Sequence, residues 1–112
     1  MNFAQSRVIT RGPNAGMPRP ITDIVIDGIF AAKEIAVKLK RNGFTIINCI
    51  VGDGLPTVQV ASCRLTAELI RNEAACYYKH STVGGIPERH GQFQAETDDG
   101  RQVRVVWVER GH

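Results

Sequence analysis

Near the C-terminus two alternating sets of residues, Phe93-Ala95-Thr97 and Val103-Val105-Trp107, flank Asp98-Asp99-Gly100. Alternation with a period of two specifies strands that bury one face, and the Asp-Gly turn joins them as a hairpin. Register decides the loop length. A two-residue Asp99-Gly100 turn pairs residue 97 with 102 and sets Phe93 and Ala95 against Val106 and Arg104. A three-residue loop over 98–100, with Gly100 left-handed, pairs 97 with 101 instead. Phe93 then faces Val105 and Ala95 faces Val103, which joins the apolar sets. Gln94, Glu96, Gln102 and Arg104 share the opposite face in compatible company. The three-residue turn is therefore expected. Val106 and Val108 make the last strand apolar on both sides, so it is expected to be central in its sheet or part of a subunit contact.

Upstream, the punctuation changes. Residues 1–20 contain Gly12-Pro13-Asn14, Gly16, Pro18 and Pro20 and no sustained apolar period, which predicts a loose arm. Residues 21–112 are then a single domain. Thr22 to Asp27, with Ile24, Val25 and Ile26, reads as a short buried strand, broken at Asp27-Gly28 with Asp27 as helix cap. From Ile29 to Arg41 the period is helical: Ala32, Ile35, Ala36 and Leu39 fall on one stripe. Glu34 precedes Lys38 by four residues, and Asn42-Gly43 supplies a left-handed stop. Phe44 to Val51 and Thr57 to Ala61 read as strands separated by Gly52-Asp53-Gly54 and Pro56. Ser62 is placed to cap a helix over Cys63 to Asn72 with Leu65, Leu69 and Ile70 inward. Ala74 to His80 fits either an extension of that helix or a new strand, with Tyr77-Tyr78 favouring the strand. His80 to His90 reads as a polar loop around Gly84-Gly85 and Pro87. The whole predicts an α+β fold: a mainly antiparallel sheet with two helices packed on one face, a βαββαβ-like core, plus the C-terminal hairpin.

The chain's 112 residues suit one domain, and 43% apolar with 22% charged residues is globular composition rather than disordered or fibrous. No run of eighteen apolar residues is present, so no membrane span is expected. Without an apolar core near the N-terminus, the expected address is cytoplasmic. Three cysteines do not make a disulfide framework. Lys and Arg number 14 against 11 acids. Arg7, Arg11 and Arg19 carry that whole excess, because residues 21–112 hold 11 bases and 11 acids. Any strong attraction for phosphate must come from the arm or a local patch.

Several constellations of residues bear on chemistry. Cys63, Cys76, His80 and His90 lack any Cys-x-x-Cys pair, so neither metal nor cofactor is expected. Cys49, in an apolar strand, is expected to be a buried small hydrophobe. Cys76 and His80 share a side in either a helix or a regular strand, which leaves a nucleophile pair open, though no orienting partner or oxyanion site is evident. Gly52-Asp53-Gly54 leads into Pro56 and a strand, whereas a phosphate cradle needs a helix N-terminus there. Lys33, Lys38, Lys40 and Arg41 could form a basic footprint with the arm. A βαββαβ core also occurs in RNA-recognition domains, but neither inner strand has their stacking aromatics.

The helix–Asn42-Gly43-Phe44–strand stretch and the terminal hairpin resemble, with no shared motif, small accessory proteins of phages and plasmids; no family is assigned on that basis. The expected function is a small non-enzymatic binding protein, a homodimer, that acts by protein–protein contact and inhibits or modulates a larger host complex. Tyr77, Tyr78, His80, Arg89, His90 and Trp107 are its expected contact residues. The alternative is a nucleic-acid-binding module using Arg7, Arg11, Arg19, Lys33, Lys40 and Arg41. A second alternative is a small-molecule binder or enzyme around Cys76, His80 and His90.

Overall fold

A computed structural model describes residues 20–111, so the expected arm, with Arg7, Arg11 and Arg19, lies outside the described residues. The element order is α1 (Ile21–Arg41), β1 (Ile46–Ile50), β2 (Thr57–Val60), α2 (Arg64–Arg71), β3 (Cys76–Val83), β4 (Ile86–Glu96) and β5 (Gln102–Arg110). The strands form one sheet in the order β1-β2-β5-β4-β3, antiparallel except for the β2–β5 pair. The α+β class and the mainly antiparallel sheet are as expected. The βαββαβ order is not, because the segment read as its first strand is helical.

Thr22 to Asp27 forms the first two turns of α1. Its β-branched residues suggest a strand locally, yet Ile24, Gly28, Ala31, Ile35 and Leu39 recur at helical spacing along one face. Tertiary burial of that face overrides propensity. Gly28 does not break the helix. It is buried because a Cβ there would sit 2.8 Å from Val51 Cγ1, so its bare backbone lets α1 close on the loop after β1. Asp27 is a helix-interior residue rather than a cap. The Pro20 carbonyl accepts the first amides, from Asp23 and Ile24. The far end matches the sequence reading. Gly43 adopts φ +96°, and the Phe44 and Gly43 amides donate to the Leu39 and Lys40 carbonyls in a Schellman closure.

The core lies between α1 and the sheet. Ala31, Ala32, Ile35 and Leu39 pack with Val58, Val60, Val103, Val105 and Trp107, and Ile70 of α2 packs against the same cluster. Both helices thus cover one face. In α2 the cap is Cys63 rather than Ser62. The Cys63 amide donates to Thr66 Oγ1 (2.9 Å), and that hydroxyl donates to the Cys63 carbonyl (2.7 Å). Cys49 is exposed rather than buried, on an edge strand with four of five residues exposed.

The β4–β5 hairpin has the expected register, Phe93 opposite Val105 and Ala95 opposite Val103, with Gly100 at φ +89°. β5 is indeed central. Its turn is clamped to α1. Glu34 accepts from the Asp98 amide (2.7 Å), and Lys38 Nζ bridges Asp98 (2.7 Å) and Glu34 (3.1 Å). Arg101 donates to the Asp27 carbonyl (3.0 Å). Hydrogen bonds from Thr97 and Arg101 hold the Asp99 carboxyl down to about 2. These contacts fix which face of α1 looks inward and which looks out.

The polar loop expected over His80 to His90 is instead a β-hairpin. Gly84 and Gly85, at φ +57° and +79°, form a two-residue turn whose twist suits the flanking strands β3 and β4. The ambiguity over Ala74 to His80 resolves as strand from Cys76 onward.

Candidate functional site

The six expected contact residues are not on one surface. Cys76 pairs with Gln92 and Tyr77 with Gly91, but a bulge follows, and Lys79 then pairs with His90 and His80 with Arg89. The extra residue, Tyr78, reverses the side-chain alternation. Tyr77, His80, Arg89 and Trp107 therefore share the helix-covered face, while Tyr78 and His90 lie on the open one. For the same reason Cys76 and His80 point to opposite faces, and the Cys76/His80/His90 constellation is not assembled. Parity along a regular strand places them together; the bulge separates them. Among the described residues no three His, Cys, Asp or Glu side chains gather to hold a metal ion.

On the helix-covered face the cluster centres on Glu109, which the sequence reading passed over. Its carboxylate accepts from Tyr77 Oη (3.0 and 3.1 Å), Arg89 Nη2 (2.9 Å) and Trp107 Nε1 (2.9 Å). Burial pushes the Glu109 carboxyl up, but the donors from Trp107, Tyr77 and Arg89 outweigh it and hold the group below the usual range. Burial, and next the bond to Glu109, raise the Tyr77 phenol. The Arg89 guanidinium also lies 4.4 Å from the centre of the Tyr77 ring. Trp107 is wholly buried and lies flat on Gly91, where any Cβ would collide with the indole Cε2 and Cζ2. It can support a surface but cannot touch a partner, which corrects its assignment as a contact residue.

The open face carries a second matched set. Arg104 lies 4.4 Å from the centre of the Tyr78 ring and donates to Gln92 (2.6 Å). Buried Glu88 accepts from Arg110 Nε (2.7 Å), with His90 Nε2 at 3.5 Å. These are internal pairings: Arg104–Gln92 and Arg110–Glu88 join neighbouring β5 and β4, while Arg104 reaches across β4 to Tyr78 of β3.

The nucleic-acid residues Lys33, Lys40 and Arg41 are exposed on α1, and among the described residues none is in an ion pair. Between them runs the feature that sequence reasoning missed. Ile26, Ile29, Phe30 and Val37 are 44%, 50%, 57% and 39% exposed on the side of α1 opposite its core stripe. At 100° per residue they form one continuous outward strip with Lys33 in its middle. The signal was present in the spacing, but reading 22–27 as a strand cut the helix short and hid the upper end of the strip. The helix is apolar on two opposite faces, of which the described residues bury one.

Comparison with protein-family models, with curated proteins and with solved structures returns no match. The described residues form an α+β fold with a five-stranded, mainly antiparallel sheet and two helices. No helix among the described residues is long and apolar enough to cross a membrane.

Proposed function

We propose that this is a small non-enzymatic binding protein that acts by protein–protein contact, and that the outward face of α1 is its contact surface. One observation carries the reading. Four large apolar side chains stand in water on a helix whose other face already fills the core. Burying each is worth about 1.5–3 kcal/mol, and contiguous patches of this kind mark interaction sites. The matched polar clusters of β3, β4 and β5 are, on this reading, structural support rather than contact groups.

The test is a photoreactive benzophenone side chain at position 30, with position 53 as an exposed control, in the full chain inside cells. A discrete adduct at 30 and none at 53 is expected. Absence of any adduct at 30 overturns the reading.

A second reading has one observation of its own. Lys33, Lys40 and Arg41 are unneutralised on the same helix face, whereas Lys38 is already clamped to Asp98 and Glu34. With Arg7, Arg11 and Arg19 they would give phosphate binding that falls steeply with salt. Fluorescence anisotropy of labelled single- and double-stranded nucleic acids, comparing the full chain with residues 21–112, decides it. Binding lost at moderate salt and on truncation supports nucleic-acid recognition; no binding at low salt removes it.

A further inference from the structure

We propose that the occupant of the outward face of α1 is a second copy of this chain, paired helix to helix in antiparallel orientation about a two-fold axis. The inference rests on the reading of that face as a contact surface and names its partner. The helix is electrically asymmetric. Its acid of the first turn is Asp23, while the last turn carries Lys38, Lys40 and Arg41. Lys38 is engaged with Asp98 and Glu34, which leaves Lys40 and Arg41 at the end of the strip.

Two identical helices laid parallel would bring Asp23 against Asp23 and the basic ends against each other. Laid antiparallel, Asp23 falls beside the partner's Lys40 and the partner's Arg41, twice over, and the helix dipoles oppose favourably. With the axis between residues 31 and 32, Ile26 meets the partner's Val37. Phe30 meets the stem and ammonium of the partner's Lys33, so the single charge within the strip gains an aromatic face. A two-fold interface must be complementary to its own image, and this strip is.

The four apolar side chains expose on the order of 400 Å² per protomer, about half of the ~800 Å² per partner typical of a stable interface. Thr22, Lys33, Lys40 and Arg41 supply a polar rim to the remainder. A concentration-dependent dimer in the micromolar range is expected rather than an obligate one.

Sedimentation velocity of the full chain from about 1 to about 100 µM should pass from a 12.3 kDa species to one of twice that mass. Phe30→Glu, at an exposed position, should weaken association about 100-fold with an unchanged circular dichroism spectrum. Asp23→Lys alone, and Lys40→Glu/Arg41→Glu alone, should each weaken it about tenfold, and an equimolar mixture of the two variants should restore it as a heterodimer. Restoration distinguishes an oriented antiparallel pair from indiscriminate sticking. A chain that stays monomeric at 100 µM, or a mixture as weak as its components, overturns the proposal. If position 30 then crosslinks to a different protein, protein contact stands and self-pairing falls. If it crosslinks to nothing, both fall.

Discussion

The Glu109 end of the β3–β5 meander and the outward side of α1 treat their side chains in opposite ways. Around Glu109, an acid, a guanidinium, a phenol and an indole satisfy one another within the molecule. Along α1, Ile26, Ile29, Phe30 and Val37 keep about half of their surface open among the described residues. Aromatic and charged residues draw the eye in a sequence as contact candidates, yet here they are the internally matched set. Aliphatic residues on a helix draw no attention, yet they carry the unsatisfied surface. A group's chemistry nominates it; whether the fold has already answered that chemistry decides its role.

Three perturbations break or sharpen this contrast. The largest effect is expected from Gly91→Ala, since the new methyl group must displace a fully buried Trp107 from the strand it lies on. A loss of about 3 kcal/mol in urea unfolding is expected. A loss below 1 kcal/mol would show that the indole is not held as described.

Glu109→Gln comes next, at about 2 kcal/mol, because the donors of buried Trp107 and half-buried Tyr77 and Arg89 then compete for one carbonyl oxygen. Its sign with pH is fixed. The folded carboxyl lies below its ordinary value, so its contribution is full above the unfolded glutamate range and disappears as pH falls through the folded value. The gap between wild type and variant should therefore narrow on acidification from pH 6. A gap that stays constant or widens contradicts the assignment of Glu109 as the charged acceptor.

Phe30→Ser should produce the smallest change in stability, within about 0.5 kcal/mol when measured below the association range, while abolishing the concentration-dependent rise in mass seen by sedimentation velocity. A large loss of stability would place Phe30 in the fold rather than on its contact surface.

How much of this was legible in the sequence depended on whether local chemistry and tertiary burial agreed. At the β4–β5 turn they did: Gly100 tolerates the left-handed backbone, and only one register joins Phe93 to Val105. Asn42-Gly43 was equally direct as a helix stop. At Ile24 to Asp27 they disagreed, and β-branched propensity concealed a helical spacing whose reward comes only on packing. Gly28 read as a breaker because glycine is costly in a helix, whereas here it admits Val51. Gly84-Gly85 is a recognised signal for a two-residue hairpin, but Pro87 and the polar residues around it suggested a loop. The bulge at Tyr78 left no mark in the composition of β3, and with it went any chance of assigning the contact residues to the right faces.

Both outermost strands of the sheet are bulged, β1 beside Ile47 and β3 at Tyr78. An outer strand is otherwise a template for unlimited strand addition, and β1, with exposed Ile47 and Ile50 and neither lysine nor proline, is the sort of border along which fibres grow. A bulge breaks the even spacing of amide and carbonyl groups and coils the strand away from flatness, so an incoming strand finds no continuous ladder. Among the described residues the sheet ends at five strands, and on each border a bulge interrupts the ladder that an added strand would need.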